Sequence, residues 1–214
     1  YDIVFGDLSS DVCSSDLYSI KGNLKFTLVY VPEGNDPNDY FETDLYSQTD
    51  EEENDNDAVH LIDVFTNAVK DVDNKTTVRK FISGTNDKDN ILEQFAEGDI
   101  DVLTSMKCLD EGVDVPRAEL AIFCASTGNP RQFVQRRGRI LRQHPDKNFA
   151  YIHDLVVIPE VGSSIDSYPM ERSMLKKELE RVNNFASLSE NSSYAIDVLI
   201  DVMNHYNLNL YHNE

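Results

Sequence analysis

Cysteine is scarce. There are three in 214 residues, Cys13, Cys108 and Cys124. The number is odd and the spacing matches no ligand pattern, which excludes a disulfide framework and gives no reason to expect a bound metal. A long apolar run is missing too. Nothing approaches the roughly eighteen consecutive apolar residues of a spanning helix, so no membrane partner is expected. A reducing, cytoplasmic location fits these absences best. Cations are also few, with 19 Lys and Arg against 39 Asp and Glu and a formal net charge of -20.

The charge is spread unevenly. Between Glu33 and Asp63 stand twelve acidic residues and no Lys or Arg. Like charges at that density repel, so residues 33–57 are expected to form a solvated acidic loop. A segment that docks a basic partner or mimics nucleic acid is the functional alternative. With this loop set aside the chain is much less acidic, and global charge says little about partners. What is present is enough for a folded core: 40% hydrophobic residues, with ten Phe and ten Tyr.

The repeat SSDVCSSDL, Ser9 to Leu17, has no periodicity and neither the basic start nor the apolar middle of a signal peptide. It looks like translated adapter sequence, and residues 1–19 are read as a non-native or disordered leader. Beyond it, strands and helices alternate. Leu24–Val31, Thr76–Ile82, Ile100–Thr104, Glu119–Ala125 and Phe149–Ile158 read as strands. Leu61, Ile62, Phe65, Ala68 and Val69 fall at helical spacing, and a short helix opens at Asn86 or Asp87 and closes at Gly98. This alternation predicts an α/β fold, a parallel sheet with helices on both faces, over residues 20–160. Residues 161–214 read as a helical appendage. One of its helices is lined by Leu175, Leu179, Val182 and Ala186, and a second by Ala195, Val198, Leu199, Val202, Met203 and Tyr206.

The few cations gather in NPRQFVQRRGRILRQHPDK, Asn129 to Lys147. Asn129, Pro130 and Gln132 make a helix start, with an N-cap, a first-turn proline and a capping-box partner. On such a helix Phe133, Val134, Ile140 and Leu141 share one side, and Gln135, Arg139 and Arg142 share the other. Guanidiniums on one rigid face suit a phosphate, which they bind in bidentate fashion. Gly138, inside the helix, points to a close approach from outside. Arg137 falls on the apolar side, where it is expected to snorkel or to pair with a carboxylate. A solvated basic face, a nucleic-acid patch and a salt-bridge network remain alternatives at this point.

This stretch does not stand alone. Upstream is DVLTSMKCLDEGVDVPRAELAIF, Asp101 to Phe123. The two segments resemble motifs V and VI of the carboxy-terminal RecA-like lobe of superfamily 2 (DEAD/DEAH-box) helicases, in the branch of restriction, repair and defence proteins. EGVDVP resembles the Gly-x-Asp-x-Pro signature, and QRRGRILR the Gln-Arg-x-Gly-Arg-x-x-Arg signature. KFTLVYVPEG, SGT (Ser83 to Thr85) and ILEQFAEGDIDVLTS extend the likeness in order over about residues 20–159.

The resemblance implies a RecA-like fold and roles for particular residues. Arg139 and Arg142 stand where the family's arginine fingers meet the γ-phosphate of ATP held by the other lobe. Gln135 holds the position that touches the nucleotide phosphates or the attacking water, and Arg136 matches an arginine that supports the interlobe site. Gly112 and Asp114 match the motif V pair near the ribose. Ser83, Gly84 and Thr85 match a turn that holds a nucleic-acid phosphate without reading sequence. Many relatives carry Thr where this chain has Met106, so the hydroxyl contact falls to Thr104 or Ser105. No G-x-x-x-x-G-K-[ST] is present, so the cradle for ATP and Mg²⁺ is expected on a first RecA-like lobe of the same polypeptide. The implied function is the second motor lobe of an ATP-dependent helicase or translocase acting on DNA, with RNA as the alternative, and inactive by itself. A non-catalytic helicase-like binding module and a translocase subunit of a restriction or phage-defence system are the other readings.

Overall fold

A computed structural model describes residues 24–31, 55–72, 74–106, 113–124, 130–159 and 168–209. The leader, residues 33–54 of the acidic segment, Gly112 and Asn129 lie outside the described residues. Five parallel strands form one sheet in the order β2-β3-β1-β4-β5. They are β1 (Thr27–Tyr30), β2 (Val78–Lys80), β3 (Val102–Ser105), β4 (Leu120–Phe123) and β5 (Tyr151–Asp154). In register, Leu28 stands beside Leu103 on one flank and Ala121 on the other. Every residue of β1, β3 and β4 is buried, because a parallel sheet is covered on both faces. Alternation along β1 then divides the core. Leu28 and Tyr30 join Phe95, Leu103, Ala121 and Phe133 on one side, while Val29 and Val31 join Ile62, Val102 and Ile122 on the other.

All five expected strands are present, each shorter than its apolar run. In β1 the cause is Phe26, whose φ of 58 puts it in the left-handed region and stops the ladder before Thr27. Its ring meets Phe95 edge-on, with centroids 6.1 Å apart. The ring also crowds Gly98, where a Cβ would lie 3.2 Å from it and φ is +85. Gly98 therefore ends helix α2 (Lys88–Glu97), as the sequence predicts. Helix α1 (Asp55–Val72) starts earlier than expected, so the last three residues of the predicted acidic loop belong to a helix.

Helix α3 (Pro130–Ile140) follows β4, and the chain closes with α4 (Tyr168–Ala186), α5 (Ser192–Asp197) and α6 (Ile200–His205). Leu175, Leu179, Val182 and Ala186 are buried, as their spacing predicts. The second expected helix is two helices, broken at Val198 and Leu199. Val198 is exposed, whereas Leu199, Val202, Met203 and Tyr206 are buried. Among the described residues no helix is long and apolar enough to cross a membrane.

Two devices fasten α4 to the sheet. One is an aromatic column, with Tyr30 stacked on Phe123 at 5.0 Å, Phe123 on Phe185 at 5.5 Å, and Phe133 against Phe185 at 5.7 Å. Such pairs add about 0.5–1.5 kcal/mol each beyond area burial. The other is a buried ion triad. Arg181 donates through Nε to Asp154 at 2.8 Å and through Nη2 to Glu178 at 2.7 Å, and also to the Leu155 carbonyl at 3.1 Å. Burial pushes the Asp154 carboxyl from 3.8 up to about 6, against the pull of Arg181.

Because that pKa is raised on folding, the folded chain holds the proton more tightly than the unfolded chain. Asp154's contribution to stability is present below about pH 4 and lost as pH rises through about 6. Arg181→Met strands two buried carboxylates and is expected to cost about 3–5 kcal/mol at pH 7. The loss should be smaller at pH 5, where Asp154 takes a proton. Urea denaturation of the 214-residue chain at both pH values measures the difference.

Candidate functional site

Helix α3 opens with Pro130, whose missing N–H is no loss in a first turn. Phe133 and Ile140 face the core as expected, but Val134 and Leu141 are exposed. The buried stripe is completed by arginines instead, since Arg136 and Arg139 are 3% and 9% exposed. Arg136 lies three residues after Phe133 and Arg139 three beyond Arg136, so the buried stripe winds round the helix from Phe133 towards the face expected to be exposed. Arg136 lies over the Tyr30 ring at 4.9 Å and donates to the Met106 carbonyl at 3.4 Å. Arg139 donates to the Val113 carbonyl. A guanidinium tolerates this burial because an aromatic face and backbone oxygens replace water.

The expected exposed face of Gln135, Arg139 and Arg142 is therefore divided. Gln135 is exposed and Arg139 turns inward. The helix stops at Ile140, so Arg142 lies just past its end, where it is exposed and pairs with the Asp114 carboxylate. Among the described residues Arg137 pairs with no carboxylate, the partner expected if it does not snorkel. It donates to the Asn184 carbonyl at 2.7 Å and lies 5.9 Å from the Phe185 ring centroid, a tie between α3 and α4. At Gly138 a Cβ would meet nothing within 4 Å, so the expected close approach has no counterpart among the described residues.

Three arginines thus reach the segments that flank residues 107–112. Arg136 holds Met106 on one side, and Arg139 and Arg142 hold Val113 and Asp114 on the other. Lys147, singled out only as part of the cluster, adds a further hold that spacing alone could not reveal. Its ammonium donates to the carbonyls of Pro116, Ala118 and Ile140, each at 3.0 Å. Burial lowers its pKa, opposed by Glu119.

The residues predicted to touch nucleic acid separate into two groups. Ser83 and Gly84 are exposed in a turn beyond β2. Thr85 closes that turn: its hydroxyl accepts from the Ile82 N–H at 2.8 Å and its own N–H donates to the Ile82 carbonyl at 3.0 Å. Thr104 and Ser105, in contrast, have no exposed surface. The Thr66 hydroxyl donates to the Ile62 carbonyl at 2.7 Å, which leaves Thr104 to donate to Thr66 at 2.8 Å. Thr104 is therefore a core contact between α1 and the sheet, and Ser105 is buried beside it.

The parallel five-stranded sheet, covered by helices on both faces, is that of a RecA-like lobe. Residues 48–144 match the helicase conserved C-terminal domain. The matched stretch runs from α1 to just past α3 and takes in β2, β3 and β4. Over 72 residues the chain is 44% identical to the "DNA 3'-5' translocase XPB2" of Sulfurisphaera tokodaii, covering 32% of this chain and 16% of that protein. Over 99 residues it is 26% identical to the "Dicer-like protein 2" of Pyricularia oryzae, covering 46% of this chain and 6% of that protein. The chain thus spans less than a fifth of the length of either relative. In fold it is similar to the yeast DEAD-box splicing factor Prp28, with a TM-score of 0.52 at 13% identity, over 99% of this chain and 37% of that one.

Nothing near Gly138 needs the missing side chain, so Gly138→Ala is expected to raise stability by about 0.5–1 kcal/mol. A rise in the thermal midpoint of the 214-residue chain checks it.

Proposed function

We propose that this chain supplies the second motor lobe of an ATP-dependent helicase or translocase, with Arg142 offered to the nucleotide phosphates. One observation carries the reading: just past the end of α3 Arg142 stays exposed against Asp114, while Arg136, Arg139 and Lys147 of the same cluster anchor the surrounding backbone. Its side chain is 42% exposed and that of Asp114 is 68% exposed. An exposed ion pair is worth only about 0–1 kcal/mol, so a phosphate can displace Asp114 at little cost. Arg136 and Arg139 hold the backbone on both sides of residues 107–112, and Gln135 stands exposed on the same helix.

ATP with Mg²⁺, when bound, supplies the phosphoryl group and most of the charge at the reacting centre. The exposed guanidinium and amide fit such a ligand. A cradle for its β and γ phosphates is not among the motifs of this sequence, so the first RecA-like lobe of the same polypeptide is the partner that holds it. The part played by this chain is to present positive charge at a fixed place, where negative charge develops. The Ser83–Gly84 turn offers a hydroxyl and backbone N–H groups to a nucleic-acid phosphate. Such contacts read no sequence and accept DNA, our first choice, or RNA. The inward turn of Arg139 favours a second reading, a non-catalytic module whose arginines only brace the fold.

ATP turnover separates the two. In a two-lobed protein containing this chain, Arg142→Ala is expected to lower nucleic-acid-stimulated turnover about a thousandfold while ATP still binds. Normal turnover by that variant would exclude the motor reading. The 214-residue chain alone is expected to show none.

A further inference from the structure

We propose that Lys147 is a positioning residue that sets where Arg142 stands. The inference rests on the motor reading above. An ammonium has three donors and no acceptor. All three donors of Lys147 converge on carbonyls from two separate segments, Ile140 on one and Pro116 and Ala118 on the other. Ile140 is the last residue of α3, and its carbonyl is one that a helix end leaves without an internal partner. Arg142 stands two residues beyond Ile140, and Asp114 two residues before Pro116. Lys147 thus ties together the two mounts on which the Arg142–Asp114 pair is built.

The exposed pair cannot supply that hold itself. The return from Arg142 to Lys147 is fastened elsewhere too. Lys147 N–H donates to the His144 carbonyl at 3.0 Å, and the Asp146 carbonyl accepts from Arg117 at 3.3 Å. Arg117 in turn lies over the Phe26 ring at 3.9 Å, so the loop is anchored to the start of the sheet. Without the ammonium, three carbonyls lose their donor and the Arg142 loop loses its common point with the Asp114 segment. Phosphate binding need not suffer, since the first lobe holds most of the nucleotide. A misplaced guanidinium acts on the transition state, and an error of about 1 Å can cost a hundredfold in rate.

The test uses the two-lobed protein in wild-type, Arg142→Ala and Lys147→Met forms, with kcat and KM for ATP measured alongside thermal unfolding. Lys147→Met is expected to lower kcat about tenfold to a hundredfold with KM within about twofold, in protein that is still folded at assay temperature. If Arg142→Ala is dead and Lys147→Met has normal kcat, the inference is overturned and the motor reading stands. If Arg142→Ala turns over normally, the motor reading fails and the role of Lys147 falls with it. Equal losses in kcat and ATP affinity would make Lys147 merely structural. Should Lys147→Met not fold, Lys147→Arg carries the test. It keeps the charge, but its planar fork cannot meet three carbonyls converging on one nitrogen, so kcat should still drop.

Discussion

Cations that donate to backbone carbonyls hold the candidate site together. Arg136, Arg139 and Lys147 take the oxygens of Met106, Val113, Pro116, Ala118 and Ile140. Those oxygens lie at the end of α3 or in stretches that have left the sheet, where the backbone has no ladder of its own to satisfy it. In a chain of net charge -20 these cations are spent on the frame, although acidic partners abound. Hydrogen bonds to a charged donor are worth about 1.5–3 kcal/mol each, which suits a loop that must not drift. Arg142 differs from the others in being exposed and in meeting a carboxylate that solvent also reaches.

The same helix links this site to the C-terminal helices. Arg136 lies on Tyr30, Tyr30 on Phe123, and Phe123 on Phe185 of α4. Arg137 reaches the Asn184 carbonyl beside it. Phe185 and Ala186 belong to the core cluster of the sheet, so α4 is part of the sheet's cover as well as the start of the helical end. The Asp154–Arg181–Glu178 triad fixes the same helix at the end of β5. A displacement of α4 would therefore be felt at the aromatic column beneath the arginines.

The five strands were legible because a doubly covered parallel sheet needs continuous apolar runs, and LKFTLVYV and ELAIFCA are such runs. Their lengths were not legible, since the break at Phe26 depends on a backbone angle that composition does not reveal. The inward turn of Arg136 and Arg139 was also hidden. Helical periodicity sends charged residues to the outside, and Tyr30 and the carbonyls of Met106 and Val113, distant in sequence, help to reverse that choice. The burial of Thr104 was hidden for the same reason, because its hydroxyl meets Thr66, 38 residues away. Motif order carried the family, while the division of labour among the arginines needed three dimensions.

The most direct test of the carbonyl-holding cations is amide hydrogen exchange in the 214-residue chain, wild type against Arg139→Met. The Ala118 N–H donates to the Val115 carbonyl at 3.0 Å, in the turn that follows the Arg139 contact, and Ile91 in α2 serves as the reference. The expected result is exchange at Ala118 about tenfold faster in the variant with Ile91 unchanged, since losing one charged hydrogen bond loosens that turn alone. Unchanged exchange at Ala118 would contradict it, and would mean that the arginines of α3 do not hold the backbone beside Asp114.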